Sequence, residues 1–227
     1  DLDPVQQKKM VWRGWKDPGH VIAADGSIYP DKLHPDDGSG WSDPETGTKY
    51  YFIALANGMT IKQLETVELP ALVNAYLLTG NEEYAKRALW ILDAIAKIYP
   101  RANEGPIDYP GLAPGKPDGG RLDRPYYQSA RAMMNYAFFA EMLSMSRHAG
   151  EPSLSDPGLT FISNIELNLL MNGADYCLRM AQAGKGASYE LNNGNIDYNR
   201  AVLAVGALMG ISEWADWALN GPLGFRY

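Results

Sequence analysis

The sequence holds a single cysteine, Cys177, so no disulfide can form within the chain and redox compartment leaves no trace in it. Cys177 lies in an apolar helical pattern and is expected to be a small core residue rather than a nucleophile. No apolar run is long enough to cross a bilayer, and no charged-then-apolar leader opens the chain, so either the protein is cytosolic or a signal peptide is missing from this sequence. Positive charge is also short: the net charge is −7, and no Lys/Arg cluster suggests a surface that tracks phosphates. Nucleic acid and membrane are therefore not expected partners. Histidine numbers only three, and His20 and His34 stand near Asp36 and Asp37 at a spacing that matches no metal motif. They are read as surface loop residues, and neither a metal nor a cofactor is called for.

What the chain does have is apolar and aromatic residues, 46% and 11%, enough for a substantial core at the upper end of single-domain size. Residues 1–58 are rich in Gly, Pro and Asp, with Trp12, Trp15, Tyr29, Trp41, Tyr50, Tyr51 and Phe52 scattered among them. This reads as an irregular arm that packs through its aromatic rings. Asp25-Gly26 and Asp43-Pro44-Glu45-Thr46-Gly47 are turn signals, and Thr48 to Leu55 reads as a short strand or the lead-in to a helix.

From Thr60 the pattern becomes helical. Leu64, Val67, Leu72, Val73, Tyr76 and Leu77 recur at helical spacing until Thr79-Gly80, with Pro70 as a kink or a late start. Asn81-Glu82-Glu83 caps a second helix, carried by Tyr84, Ala88, Ile91, Leu92, Ile95 and Ile98 and ended by Tyr99-Pro100. So short a connection makes the two antiparallel. Arg101 to Gly120, with Pro106, Pro110, Pro114 and Pro117, reads as a long surface loop. A third helix opens near Asp123 or Arg124-Pro125 and runs to Arg147-His148, with Gly150 ending it. Leu159 to Met180, Tyr198 to Met209 and Ser212 to Leu219 complete the set. The expectation is an all-α body over residues 59–227, made of antiparallel pairs in a solenoid or a closed ring, with no fixed repeat period.

Glu190 to Arg200, an amide-rich turn feeding the apolar run Ala201 to Met209, is the most distinctive stretch. Asn and Gly interrupt helices and favour caps, which places Asn195 at a helix mouth. Unpaired N–H groups, partial positive charge and added side-chain amides suit an anion there, while capping alone is the plainer alternative. A calcium loop fails: counted from Asn193, the sixth position is Tyr198 instead of Gly, and the twelfth is Ala204 instead of Glu. Arg124, Tyr126, Tyr127, Gln128 and Arg131 form a second candidate patch, because aromatic rings stack on sugar faces and guanidinium forks onto carboxylates. Its alternative is a Tyr pair in the core with solvated arginines outside.

Three stretches together resemble the heparinase II/III-like and alginate lyase superfamily of polysaccharide lyases. Leu69 to Tyr99, centred on Ala75 to Ala85, is similar to an early helical hairpin of that superfamily, and Asp43 to Tyr51 to its lead-in. Asn192-Asn193-Gly194-Asn195, followed by a small-residue helix and Trp214 to Leu219, resembles the stretch that supplies the carboxylate-neutralising Asn.

The resemblance implies an incomplete (α/α) toroid, preceding a C-terminal β-sandwich, in a periplasmic or secreted enzyme whose signal peptide is not in this chain. It implies cleavage of a uronic-acid polysaccharide by β-elimination, with Asn195 as the neutralising residue and Asn192 or Asn193 as a second donor. Two departures stand out: Ile196 follows Asn195 where many relatives have His, and the superfamily's catalytic Tyr and a further His would lie beyond Tyr227. Two rivals remain. A glycoside hydrolase would use two carboxylates among Asp123, Glu190, Asp197 and Glu213, and a helical scaffold would bind a glycan without cutting it.

Overall fold

The structure is a computed structural model that describes residues 2–102, 127–182, 193–222 and 224–226. It is mainly helical with a few small strands, so the all-α expectation is corrected. The chain divides into two compact units, Asp1–Leu64 and Glu65–Tyr227. The division falls after Leu64 rather than after residue 58, because the helix that begins at Phe52 packs on the strands before it.

In the first unit, β1 (Val11–Trp12), β2 (Val21–Ile22) and β3 (Ile28–Tyr29) form an antiparallel sheet, and β4 (Trp41–Ser42) pairs antiparallel with β5 (Lys49–Tyr50). Helix α1 (Phe52–Gln63) follows, so Thr48 to Leu55 supplies both a strand and a helix start. Strands this short cannot carry a fold alone. Their core is aromatic: Tyr29 stacks on Phe52 at 4.8 Å, the Tyr50 and Phe52 rings lie 6.2 Å apart, and Met10, Val21 and Ala56 fill the remainder.

Aspartates hold the turns. Asp25 accepts from the Ser27 N–H at 2.9 Å, Asp31 from Leu33 and His34, Asp37 from Ser39, and Asp43 from Glu45. Side chains of this length reach their own backbone two residues on, which replaces ladder bonds the short strands lack. The arm is therefore ordered by turns rather than irregular. His34 is not the surface residue read from the sequence: its ring sits edge-on between Tyr29 and Trp41, with Nδ1 2.9 Å from Asp31.

The second unit begins within a π-helical segment, Leu64–Glu68, which leads into α2 (Leu69–Thr79). Pro70 is the second residue of α2, directly after the π segment, so it neither starts a new helix nor ends one. The wider π turn shifts the helical phase, so Val67, counted with the inner face, is exposed. Leu77 and Ile98 are exposed as well, at the edges of their apolar stripes. Gly80 ends α2 in the left-handed conformation (φ 65°), and Asn81 caps α3 (Glu82–Ala102) by accepting from the Glu83 N–H. Pro100 lies inside the last turn of α3, two residues short of its end, rather than terminating it.

Helix α4 (Tyr127–Ser144) stops earlier than Arg147-His148. Ser146 explains the stop, since its hydroxyl donates to Glu82 at 2.5 Å and accepts the His148 N–H, drawing the chain out of the helix.

The single helix expected over Leu159 to Met180 is three segments: α5 (Phe161–Asn164), a π segment (Ile165–Met171) and α6 (Asn172–Gln182). Asn164, Asn168 and Asn172 run through the π segment. Asn168 donates to the Asn164 side chain at 2.7 Å, and Asn172 to the Leu167 and Asn168 carbonyls. Amides that compete for main-chain carbonyls loosen the regular ladder there.

Helix α7 (Asn193–Met209) starts five residues before the Tyr198 expected, and α8 (Ser212–Asn220) follows. This unit has one large apolar core, with Leu69, Val73, Leu89, Leu92, Met133, Leu143, Ile165, Leu169 and Val205 among its buried residues. Where α6 approaches α4, Gly173 leaves room for the end of the Met133 side chain, which a Cβ there would displace. Cys177 is buried in this core, and burial pushes its thiol up, as an inert core residue requires.

Candidate functional site

The start of α7 carries a run of buried polar side chains. Asn195 is 3% exposed, and Asp197 and Asn199 are buried beside it, as is Tyr198. Buried polar groups at a helix start need partners, and Asp197 finds them on two helices. Arg131 of α4 donates through Nε to Asp197 Oδ2 at 2.6 Å, and Arg200 of α7 lies 3.7 Å from Oδ1. The Asp197 side chain is 5% exposed, whereas those of Arg131 and Arg200 are 48% and 56% exposed. One carboxylate thus sits inside, and two cationic side chains lead from it to solvent.

Sequence reasoning named Arg131 and Asp197 separately, but not that they pair across 66 residues. The signal was available in part: Asp197 lies two residues past Asn195, between two apolar side chains, Ile196 and Tyr198. Nothing in the chain order, however, tells which cation a buried acid will meet.

The other expected site residues divide as follows. Asn195 stands in the first turn of α7, as its place at a helix mouth required, but its side chain is buried rather than open. A sugar carboxylate cannot touch it in the conformation described. Asn193 is the first residue of α7, and Tyr127 and Gln128 open α4; their side chains lie outside what the structure describes. Asn192, Arg124 and Tyr126 lie outside the described residues altogether, as do Glu190, Asp123 and nearly all of the loop expected from Arg101 to Gly120. Of the acids a hydrolase would use, Asp197 is engaged by two guanidinium groups, and Glu213 is exposed in the first turn of α8.

A second polar cluster, unforeseen from the sequence, centres on Asp93 of α3. Its carboxylate is buried and accepts from Ser153 Oγ at 2.5 Å, Asn164 Nδ2 at 2.8 Å and the Ser155 N–H at 3.0 Å. Every contact is a donor from the segment that follows α4, so the cluster fastens that segment to α3 and offers no open face. Among the described residues, no group of three or more His, Cys, Asp or Glu is placed to hold a metal ion. Likewise, no helix among them is long and apolar enough to cross a membrane. Compared with protein-family models and with curated proteins, the chain matches none.

Proposed function

We propose that this chain is the helical portion, an incomplete (α/α) toroid, of a periplasmic or secreted polysaccharide lyase that cleaves a uronic-acid polysaccharide by β-elimination. The observation that carries the reading is the convergence of Arg131 and Arg200 on the buried Asp197 at the start of α7. One buried carboxylate draws two half-exposed guanidinium groups together at the surface, Arg131 by a hydrogen bond and Arg200 as an ion pair. That arrangement suits a carboxylate arriving from solvent.

The chemistry asks for such a site. A base takes the proton from the carbon beside the uronate carboxylate, the electron pair forms a double bond to the neighbouring carbon, and the glycosidic oxygen leaves with a proton. Charge grows on the carboxylate as the proton departs, and donors fixed beforehand lower that barrier. Arg131 and Arg200 have the exposure for direct contact, whereas the Asn195 side chain is buried. The neutralising contact expected of Asn195 is thereby moved to the arginines.

A second reading is supported by that same burial: a helical scaffold that holds an acidic glycan without cutting it. Incubation of the natural full-length protein with polymannuronate, polyguluronate, polygalacturonate and heparan sulfate separates the two. A lyase yields an unsaturated product that absorbs ultraviolet light, a hydrolase yields only new reducing ends, and a scaffold yields neither. If the lyase reading holds, Arg131→Ala lowers kcat/KM at least tenfold, or about 1.4 kcal/mol. Full turnover in both Arg131→Ala and Arg200→Ala removes this site from the reaction.

A further inference from the structure

Arg131 meets Asp197 near the starts of α4 and α7, and Glu141 and Leu208 line one groove near their ends, so the two helices run side by side in the same direction. The groove between them has a volume of about 340 Å³. On α4 it is lined by Met134, Ala137, Phe138 and Glu141, whose spacing keeps them on one face of a helix. Ala204, Ala207 and Leu208 of α7 follow the same rule. The alanines end at Cβ and leave the hollow, and the longer Met134, Phe138 and Leu208 give it apolar walls. Its size falls at the lower end of small-molecule sites, which run from about 300 to 1,000 Å³.

Glu141 is the one charged side chain that lines this groove. It is exposed, and among the described residues its carboxylate has no hydrogen-bond or ion-pair partner. Neither α4 nor α7 has a basic residue in its last turn. The carboxy end of a helix carries partial negative charge, so two such ends lying together add to Glu141 instead of offsetting it. Arg131, ten residues earlier on α4, stands about 15 Å away along the axis, beyond the Debye length of ~8 Å at physiological salt. The Glu141 end of the groove is therefore anionic and its walls are apolar.

We infer that this groove binds a small organic cation with an apolar body, an aryl- or alkylammonium whose charged end meets Glu141 and whose carbon skeleton covers Met134, Phe138 and Leu208. A carboxylate of the same shape would meet like charge, and a neutral alcohol would leave Glu141 without an opposite charge. The lined stretch from Met134 to Glu141 covers about 10 Å. That length holds one ring with a short chain, and it is too short to bury the face of a helix of ordinary length, about three turns. A bound molecule touches both helices that carry the Arg131–Asp197 pair, and it fastens them together beyond that pair. The site needs no turnover and stands independently of the function proposed above.

The test is binding of the full 227-residue chain to phenethylammonium and to its neutral and anionic counterparts, phenethyl alcohol and hydrocinnamate. Nuclear magnetic resonance of isotope-labelled methionine methyl groups follows it, with the Met134 signal identified in Met134→Leu. Phenethylammonium should move that signal and bind about threefold to fivefold more tightly than the alcohol, an advantage that shrinks as salt rises. Hydrocinnamate should bind most weakly of the three. Glu141→Gln should bring phenethylammonium down to the affinity of the alcohol. Ala207→Phe, which fills the hollow from an exposed position, should abolish binding of both. Both variants change exposed side chains, and an unaltered near-ultraviolet circular dichroism spectrum confirms the fold. An unmoved Met134 signal with all three probes, equal affinity for ammonium and alcohol, or full ammonium binding in Glu141→Gln overturns the inference. Self-association seen in sedimentation and removed by Ala207→Phe overturns it in favour of a second copy of the chain.

Discussion

In residues 1–64, Asp25, Asp31, Asp37 and Asp43 each accept backbone N–H groups two or three residues on, and Asp3 accepts those of Val5, Gln6 and Lys8, two, three and five residues on. In residues 65–227, the buried Asp93 is bonded by side chains 60 and 71 residues away. The first unit uses these acids for local turns, and the second places one where segments distant in sequence must meet. Local turns leave the first unit with two-residue strands and a small core built around an aromatic stack, whereas the second has a much larger apolar core. The two should therefore fail differently, the first by small separable steps and the second all at once.

The largest expected effect is in the second unit. Asp93→Ala removes the acceptor for two buried side-chain donors and one half-buried N–H, at a cost of about 3 kcal/mol. Denaturant unfolding measures the loss, and segment-resolved hydrogen exchange should show protection falling together across α3 and residues 153–164. A loss below about 1 kcal/mol would mean that water reaches the site, and the contrast drawn between the units would weaken.

A smaller effect belongs to Asp36, whose Oδ1 accepts from Gly38 and Gly40 and whose Oδ2 accepts the Ile53 N–H in the first turn of α1 at 3.0 Å. Tyr51, at the N-cap position itself, makes no side-chain cap. Asp36→Ala should cost about 1–2 kcal/mol, as loss of a helix cap does, with exchange rising only between residues 36 and 63. Loss of protection spreading into α3 would break the separation of the two units.

Acid gives the smallest and most directional contrast. Burial alone would raise the Asp3 carboxyl, but the N–H groups of Gln6, Lys8 and Val5 outweigh it and hold it below the ordinary range. Asp31 is lowered in the same way, against its partial burial, by His34 and Leu33. Their stabilisation is complete above the unfolded carboxylate value and is lost as pH falls through it towards the lower folded values. Glu166, in the second unit, is raised by desolvation, so its contribution is present at low pH and lost as pH rises through its folded value. Acidification from about pH 5 to pH 2 should thus open residues 1–64 first. Simultaneous loss in both units, followed by hydrogen exchange or by peptide-resolved proteolysis, would deny the difference.

The same contrast decides what could be read from the chain beforehand. Turns at Asp25-Gly26 and Asp43 to Gly47, the Thr79-Gly80 stop and the Asn81 cap are local events, and each is where the residues put it. The Asp36 cap on α1, the Asp93 cluster and the Arg131–Asp197 pair depend on contacts 17 to 71 residues apart, and none was legible. Asp93 did leave a trace, an acid in register with Leu89 and Ala96 on the buried stripe of α3. The π segments were invisible because a periodicity argument assumes 3.6 residues per turn and absorbs one extra residue without complaint. At the candidate site, the helix mouth was legible and the burial of Asn195 was not, since exposure is decided by what packs across it.

The π segment between α5 and α6 has a consequence for tolerance to changes in length. Removing one residue from an ordinary helix turns everything beyond it by about 100° and pulls its inner face out of the core. Between Ile165 and Met171 the ladder already holds a surplus residue, so a single deletion there returns it to regular winding. Phe161 on one side and Cys177 on the other would keep the orientations they have now. This helix can lose a residue where a regularly wound one cannot.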